Sequence, residues 1–142
     1  MAKIIVCLFL GLILITNQTF AQVEKQSIQI EETLSHLEKV NQDCVDAGTN
    51  SFIDCSKVFY DKIDSILNVV YKQIRRQMSE PQFNKLKKEQ IAWLKKRDKF
   101  FKQVDVDVKK ENAGVEAETA LAINRKAYFV EGRIKELLKK MK

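Results

Sequence analysis

The chain has 142 residues, a net charge of +6, one proline, four glycines and three cysteines. That length fits one domain with a modest core. Plentiful Lys, Glu, Gln, Leu, Ile and Ala with so few breakers favour helix and argue against a strand-rich fold.

Lys3 precedes an apolar run from Ile4 to Ile15, and the small residues Thr19 and Ala21 follow. A basic start, a short apolar core and small residues before a cut predict a signal peptide over residues 1–21, cleaved between Ala21 and Gln22. The run is shorter than the roughly 20 residues a membrane span needs. Cys7 lies inside it, not after it, so a lipid anchor at that cysteine is not expected. Cleavage removes only Lys3 among the charges, so the net charge falls from +6 to +5. No second apolar run in the mature chain predicts a transmembrane segment, and the expected destination is the periplasm or the exterior.

Ile28, Ile30, Leu34, Leu37 and Val40 predict a first helix over roughly 24–44. Residues 22–43 form an N-terminal helical segment whose start is ragged and expected to be partly flexible. Cys44 and Cys55 remain after cleavage, an even number in an exported chain, and are expected to form one disulfide. Between them lie the turn residues Asp46, Gly48, Thr49 and Asn50. The alternative is a pair of free thiols serving catalysis or a metal, and the lone His36 offers that chemistry little help.

Thr49 or Asn50 is the expected cap of a second helix. Its apolar residues Phe52, Phe59, Ile63, Ile66, Leu67, Val70, Tyr71, Ile74 and Met78 recur at steps of three and four. Ser79 then reads as the N-cap of a third helix, with Pro81 in the first turn and Gln82 three residues on. That helix carries Phe83, Leu86, Gln90, Trp93, Leu94, Arg97, Phe101 and Val104. The alternation Val104-Asp105-Val106-Asp107-Val108 has no partner strand and reads as a fraying end or a connection over 105–114. Asn112 and Gly114 mark a break. A last helix near 115–140 buries Ala120, Ile123, Ala127, Val130, Ile134, Leu137 and Met141, flanked by Tyr128 and Leu138. The fold class is all-α: a small antiparallel bundle of three to four helices with one disulfide, its main domain over residues 44–142. The tight turn at 79–81 makes the second and third helices neighbours.

Two polar sets stand on or beside the apolar stripes. The second helix has Asp64, Leu67, Asn68 and Tyr71; the third has Gln90, Trp93, Arg97 and Asp98. Burying such groups is costly unless they find one another. The expected arrangement is a structural clasp of Asp64, Asn68, Tyr71, Gln90, Trp93, Arg97, Asp98 and Arg133. Arg97 would point inward to Asp64 or Asn68, Asp98 would meet Arg133, and the Trp93 indole would find Asn68 or a backbone carbonyl. Lys85, Lys87, Lys88, Lys95, Lys96, Lys99 and Lys102 decorate the third helix. Read plainly they are a solvated face. Read more sharply, Lys88, Lys95 and Lys99, with Lys109 and Lys110, form a candidate binding surface for anions.

These residues in this order resemble the LprI-type lysozyme-inhibitor domain, a family of small exported bacterial proteins. The matching features are Cys44, Cys55, the two polar sets and a late Arg133-Ile134-x-x-Leu137, over roughly 44–138. The resemblance implies a helical, envelope-located binding protein that inhibits lysozyme. Two departures stand out: Phe101 occupies the place of a family cysteine, and none occurs around 125–127. Losing both predicts a missing second disulfide whose work is done by packing.

Three function classes remain to be weighed. A lysozyme inhibitor plugs a cleft in which two carboxylates act, and the inter-helix segments 45–51, 79–82 and 105–114 are candidate plugs. Animal-type lysozymes are themselves basic, and like-charged partners associate slowly. A structural or interaction module of the envelope would instead hold an anionic polymer or a partner protein on its lysine face. An enzyme is disfavoured: there is no nucleophile–base pair, metal-ligand spacing or glycine-rich phosphate loop, and no cofactor is called for. Nucleic acid is an unexpected partner for an exported chain.

Overall fold

A computed structural model describes the backbone of residues 2–48, 51–110 and 116–141, and the side chains of 21–48, 51–108 and 116–141. Four helices follow in order: α1 (Ala2–Ala47), α2 (Phe52–Gln77), α3 (Glu80–Lys110) and α4 (Glu116–Leu138). Among the described residues there is no strand, and no helix is long and apolar enough to cross a membrane.

The segment expected to start raggedly is helical throughout, and its inward stripe differs from the one the apolar residues suggest. Val23, Ser27, Ile30, Leu34, Leu37 and Asn41 recur at steps of three and four, and Leu34, Ser27 and Asn41 are buried. Ile28 and Val40 sit one position off that stripe and are exposed. Ser27 satisfies its hydroxyl by donating to the Glu24 carbonyl at 2.9 Å, and Asn41 donates weakly to Asn124 of α4 at 3.5 Å. Gly48 ends α1 with φ of 61°, a left-handed conformation that side chains disfavour.

Cys44 and Cys55 form the disulfide, Cα to Cα 5.9 Å, and pin the end of α1 to the first turn of α2. The α2 N-cap is Ser51, and the expected caps Thr49 and Asn50 lie outside the described residues. Ser51 makes no capping bond of its own. Instead Glu116 reaches across from the first turn of α4, bonding the Ser51 hydroxyl and the Phe52 and Ile53 amides, which holds its carboxyl below the usual range. At the other end of α2 the turn is as expected. Gln82 accepts from the Ser79 amide at 3.0 Å and the Ser79 hydroxyl at 2.8 Å, and the Ser79 carbonyl accepts from Phe83.

The core is one cluster built on Phe59, Ile63, Leu67, Val70 and Ile74 of α2 against Ala127, Val130, Ile134, Leu137 and Leu138 of α4. These two helices run parallel and form the closest seam in the molecule. Small residues make that approach feasible: Ser56, Ala120 and Ala127 are buried where bulk would separate the axes. Leu138, expected at the flank, is 1% exposed, whereas Tyr128 does stand at the edge. Helix α1 covers one side of the seam, and α3 lies on the other, mainly against α4.

The alternating segment 104–108 is helix, not a connection. Val104 is fully buried, Asp105 pairs with Lys126 at 2.5 Å, and Asp107 pairs with Arg125 at 3.6 Å. Helix α3 therefore runs to Lys110, and the expected break at Asn112 and Gly114 lies outside the described residues.

One charged group is buried in the α1–α4 seam. Glu131 is 2% exposed and ion-paired to Lys135, and it faces Glu38 of α1. Burial first, then the neighbouring Glu131 charge, raises the Glu38 carboxyl above its ordinary 4.5. A folded-state pKa above the unfolded one means the fold binds this proton more tightly, so stability falls as pH rises through that interval. Glu38→Gln is expected to flatten this decline in urea unfolding just above pH 4.5, and an unchanged slope would contradict it. The disulfide supplies a second test. Cys44→Ala/Cys55→Ala should lower the unfolding free energy by about 3 kcal/mol in urea titrations.

Candidate functional site

The turn at Ser79 brings α2 back as α3, yet the two helices do not pack backbone to backbone. They are spaced by aromatic pairs at both ends. Tyr60 meets Phe101 edge-on with centroids 6.1 Å apart, and Tyr71 meets Phe83 at 6.0 Å, with the Arg75 guanidinium 4.2 Å over the Phe83 ring. Between these props lies an open groove of about 340 Å³. Its walls are the two polar sets: Asp64, Asn68 and Tyr71 from α2, Gln90 and Arg97 from α3, with Leu67, Ile91 and Leu94 as apolar floor.

The polar groups lining this groove do not bridge it. Asn68 donates to the Asp64 carbonyl at 3.0 Å and to its carboxylate at 3.4 Å, both within α2. Arg97 turns to its own neighbour, with Nε and Nη2 donating to Asp98 Oδ1 at 3.0 and 2.7 Å. The predicted crossing from Arg97 to Asp64 or Asn68 is absent, as is the pairing of Asp98 with Arg133. Adjacent positions on a helix lie about 100° apart, and Asp98 points outward, its side chain 65% exposed. Arg133, 6% exposed, is reached by Gln90 instead: its Nε donates to Gln90 Oε1 at 3.0 Å, and its Nη1 to Glu136 at 2.8 Å.

Trp93 is core, as expected, at 7% exposure. Its ring stacks on Phe129 of α4 at 5.9 Å and has two guanidinium groups near it, Arg97 at 5.8 Å and Arg133 at 5.9 Å from its centroid. Cations over an indole face are attracted by its quadrupole. Tyr71 is raised above its ordinary 10.0 by burial, with Arg133 and Arg75 pulling the other way. The clasp thus resolves into two parts. Gln90, Trp93 and Arg133 tie α3 to α4, while Asp64, Asn68, Tyr71 and Arg97 face the groove.

All seven described lysines of α3 are exposed, including Lys88, Lys95 and Lys99. Lys88, Lys95, Lys99 and Lys102 lie opposite Leu86, Trp93 and Val104, the residues α3 buries. Lys109 and Lys110 belong to the last turn of α3, and their side chains lie outside the described set. Like charges at spacings of three and four, as in Lys95/Lys99 and Lys99/Lys102, cost a helix roughly 0.2–0.5 kcal/mol per pair. Among the described residues no cluster of His, Cys, Asp and Glu has the arrangement of a metal site.

The profile of the family described as Lysozyme inhibitor LprI matches residues 42–137. The chain belongs to this family. In this LprI domain the match starts beside Cys44 and ends at Leu137, so it takes in the disulfide, the groove and Arg133. No curated protein and no solved structure gives a significant match. The position taken by Phe101 carries no bridge here. Its ring packs between Tyr60 and Phe129, with Lys126 Nζ 5.5 Å from its centroid. With the Asp105–Lys126 pair beside it, this cluster joins α3 to α4 by packing and charge.

Several residues of the site carry no local sequence signal. Glu89 pairs with Lys140 at 3.0 Å, and that hydrogen bond lowers its carboxyl below the ordinary 4.5. Only the fold brings Glu89 beside the end of α4. The division of the clasp is testable by unfolding. Trp93→Ala should cost about 3–5 kcal/mol, the range for truncating a buried large aromatic. Asp98→Ala, removing one member of an exposed pair, should cost about 0–1 kcal/mol. Equal losses would restore an inward role for Asp98.

Proposed function

We propose that the mature chain is an exported envelope protein that binds a lysozyme and inhibits it. The observation that carries this reading is the LprI family match across residues 42–137, nearly all of the helical unit from Cys44 onward. The leader-like residues 1–21 and the disulfide between Cys44 and Cys55 support export, because such bridges persist in oxidising compartments. The fold suits a binder. A cross-linked bundle presents a rigid surface, and rigid surfaces lose little conformational freedom on association.

Inhibition needs no chemistry from this chain. A glycoside hydrolase works with two carboxylates flanking the scissile bond, and a protein that covers them stops the reaction. Of the segments considered as plugs, 105–110 is ruled out as a loop because it is helix. The turn at 79 is short and internally bonded. Exposed helix faces therefore join the segment 45–51 and the connection after Lys110 as candidate contact surfaces.

The test is lysis of bacterial walls by lysozyme in the presence of the purified chain starting at Gln22. Lysis is expected to slow in proportion to added protein and stop near equimolar amounts. Undiminished lysis at large excess would sink the reading.

A further inference from the structure

The charges of α3 are divided in a way that composition alone conceals. Every acid on the helix is already engaged: Glu80 with Arg75 at 2.8 Å, Glu89 with Lys140 at 3.0 Å, Asp98 with Arg97 at 2.7 Å, Asp105 with Lys126 at 2.5 Å, and Asp107 with Arg125 at 3.6 Å. Four of these five pairs reach to residues outside α3. None of the described α3 lysines pairs with an acid among the described residues, and all are exposed. The acids are spent on holding the helix to its neighbours and on Arg97. The positive charge is left facing outward.

The uncompensated charge lies on a straight ridge. From Lys88 to Lys102 is 14 residues, about 21 Å along a helix. It stands opposite the buried Leu86–Trp93–Val104 stripe, so no other helix of the bundle covers it. A ridge of this sign is complementary to an acidic surface and repels a basic one.

Building on the inhibitor reading, we infer that the α3 lysine ridge is the surface that meets the enzyme, and that the target is a lysozyme whose cleft rim is acidic and whose net charge is negative. The catalytic carboxylates then form part of the docking field. The positive ridge draws the two proteins together before any fitted contact forms. A strongly basic lysozyme shares the sign of this chain, and the same field slows its approach.

The test measures association rates and inhibition against two lysozymes, one acidic and one basic, using the wild-type chain, Lys88→Glu/Lys95→Glu/Lys99→Glu, and the triple Lys→Arg variant. The three positions are exposed, so helicity and melting serve as folding controls. The wild-type chain should prefer the acidic enzyme. Its association should slow by roughly tenfold as salt rises from about 0.02 to 0.5 M. The Glu variant should lose at least tenfold in inhibition, and the Arg variant should retain it. If the wild-type chain inhibits but the Glu variant matches it, or the basic enzyme is bound as fast, the ridge is not the contact and this inference alone fails. If the wild-type chain inhibits neither enzyme, the inhibitor reading fails and this inference falls with it.

Discussion

The close parallel seam between α2 and α4 is the constraint on which the rest of the molecule depends. Ser56, Ala120 and Ala127 let the two axes approach, and Ile63, Val70, Ala127, Val130, Ile134 and Leu137 are sealed within the seam or beside it. Once α4 occupies that side of α2, α3 cannot pack there as well, although the turn at Ser79 returns it alongside. It leans on α4 and meets α2 through the Tyr60–Phe101 and Tyr71–Phe83 ring pairs and through Arg75, which reaches Glu80 and Phe83. The open groove, the partial exposure of Arg97 and the outward lysine ridge all follow from that displacement.

Electrostatics complete what the core begins. Along the α3–α4 contact, Glu89–Lys140, Gln90–Arg133, Asp105–Lys126 and Asp107–Arg125 succeed one another from one end to the other. Partly exposed pairs of this kind are individually weak. Their spacing sets register more than it adds stability. Buried Glu131 is a different case: its Oε1 pairs with Lys135, while Oε2 has no hydrogen-bond partner among the described residues. It makes the α1–α4 contact sensitive to the protonation of Glu38.

Much of this architecture is legible in the amino-acid order because it is local. Steps of three and four reveal the helices, Ser79 with Gln82 marks a helix start, and Cys44 and Cys55, an even pair flanking a run of turn residues, point to their bond. What the order does not carry is which helices become neighbours. Local periodicity shows that α2 and α3 each have an apolar face but not that α4 will take the place against α2. That omission explains the misplaced partners of Arg97, Asp98 and Arg133. The valine–aspartate alternation misleads for a related reason. Asp105 and Asp107 take their partners Lys126 and Arg125 from α4, about 20 residues away, so no local signal separates this helix end from a connection. Likewise Ser27 and Asn41 keep the α1 stripe where hydrophobicity alone points to Ile28 and Val40.

The account joins a scaffold held by α2 and α4 to recognition by the outer face of α3. Lysine footprinting of the bound complex tests that junction most directly, by acetylating the chain alone and with an acidic lysozyme and reading each site by mass spectrometry. Lys88, Lys95, Lys99 and Lys102 should become protected while Lys39, Lys57 and Lys139 stay reactive. Protection confined to the latter group would place recognition on another face and contradict the account.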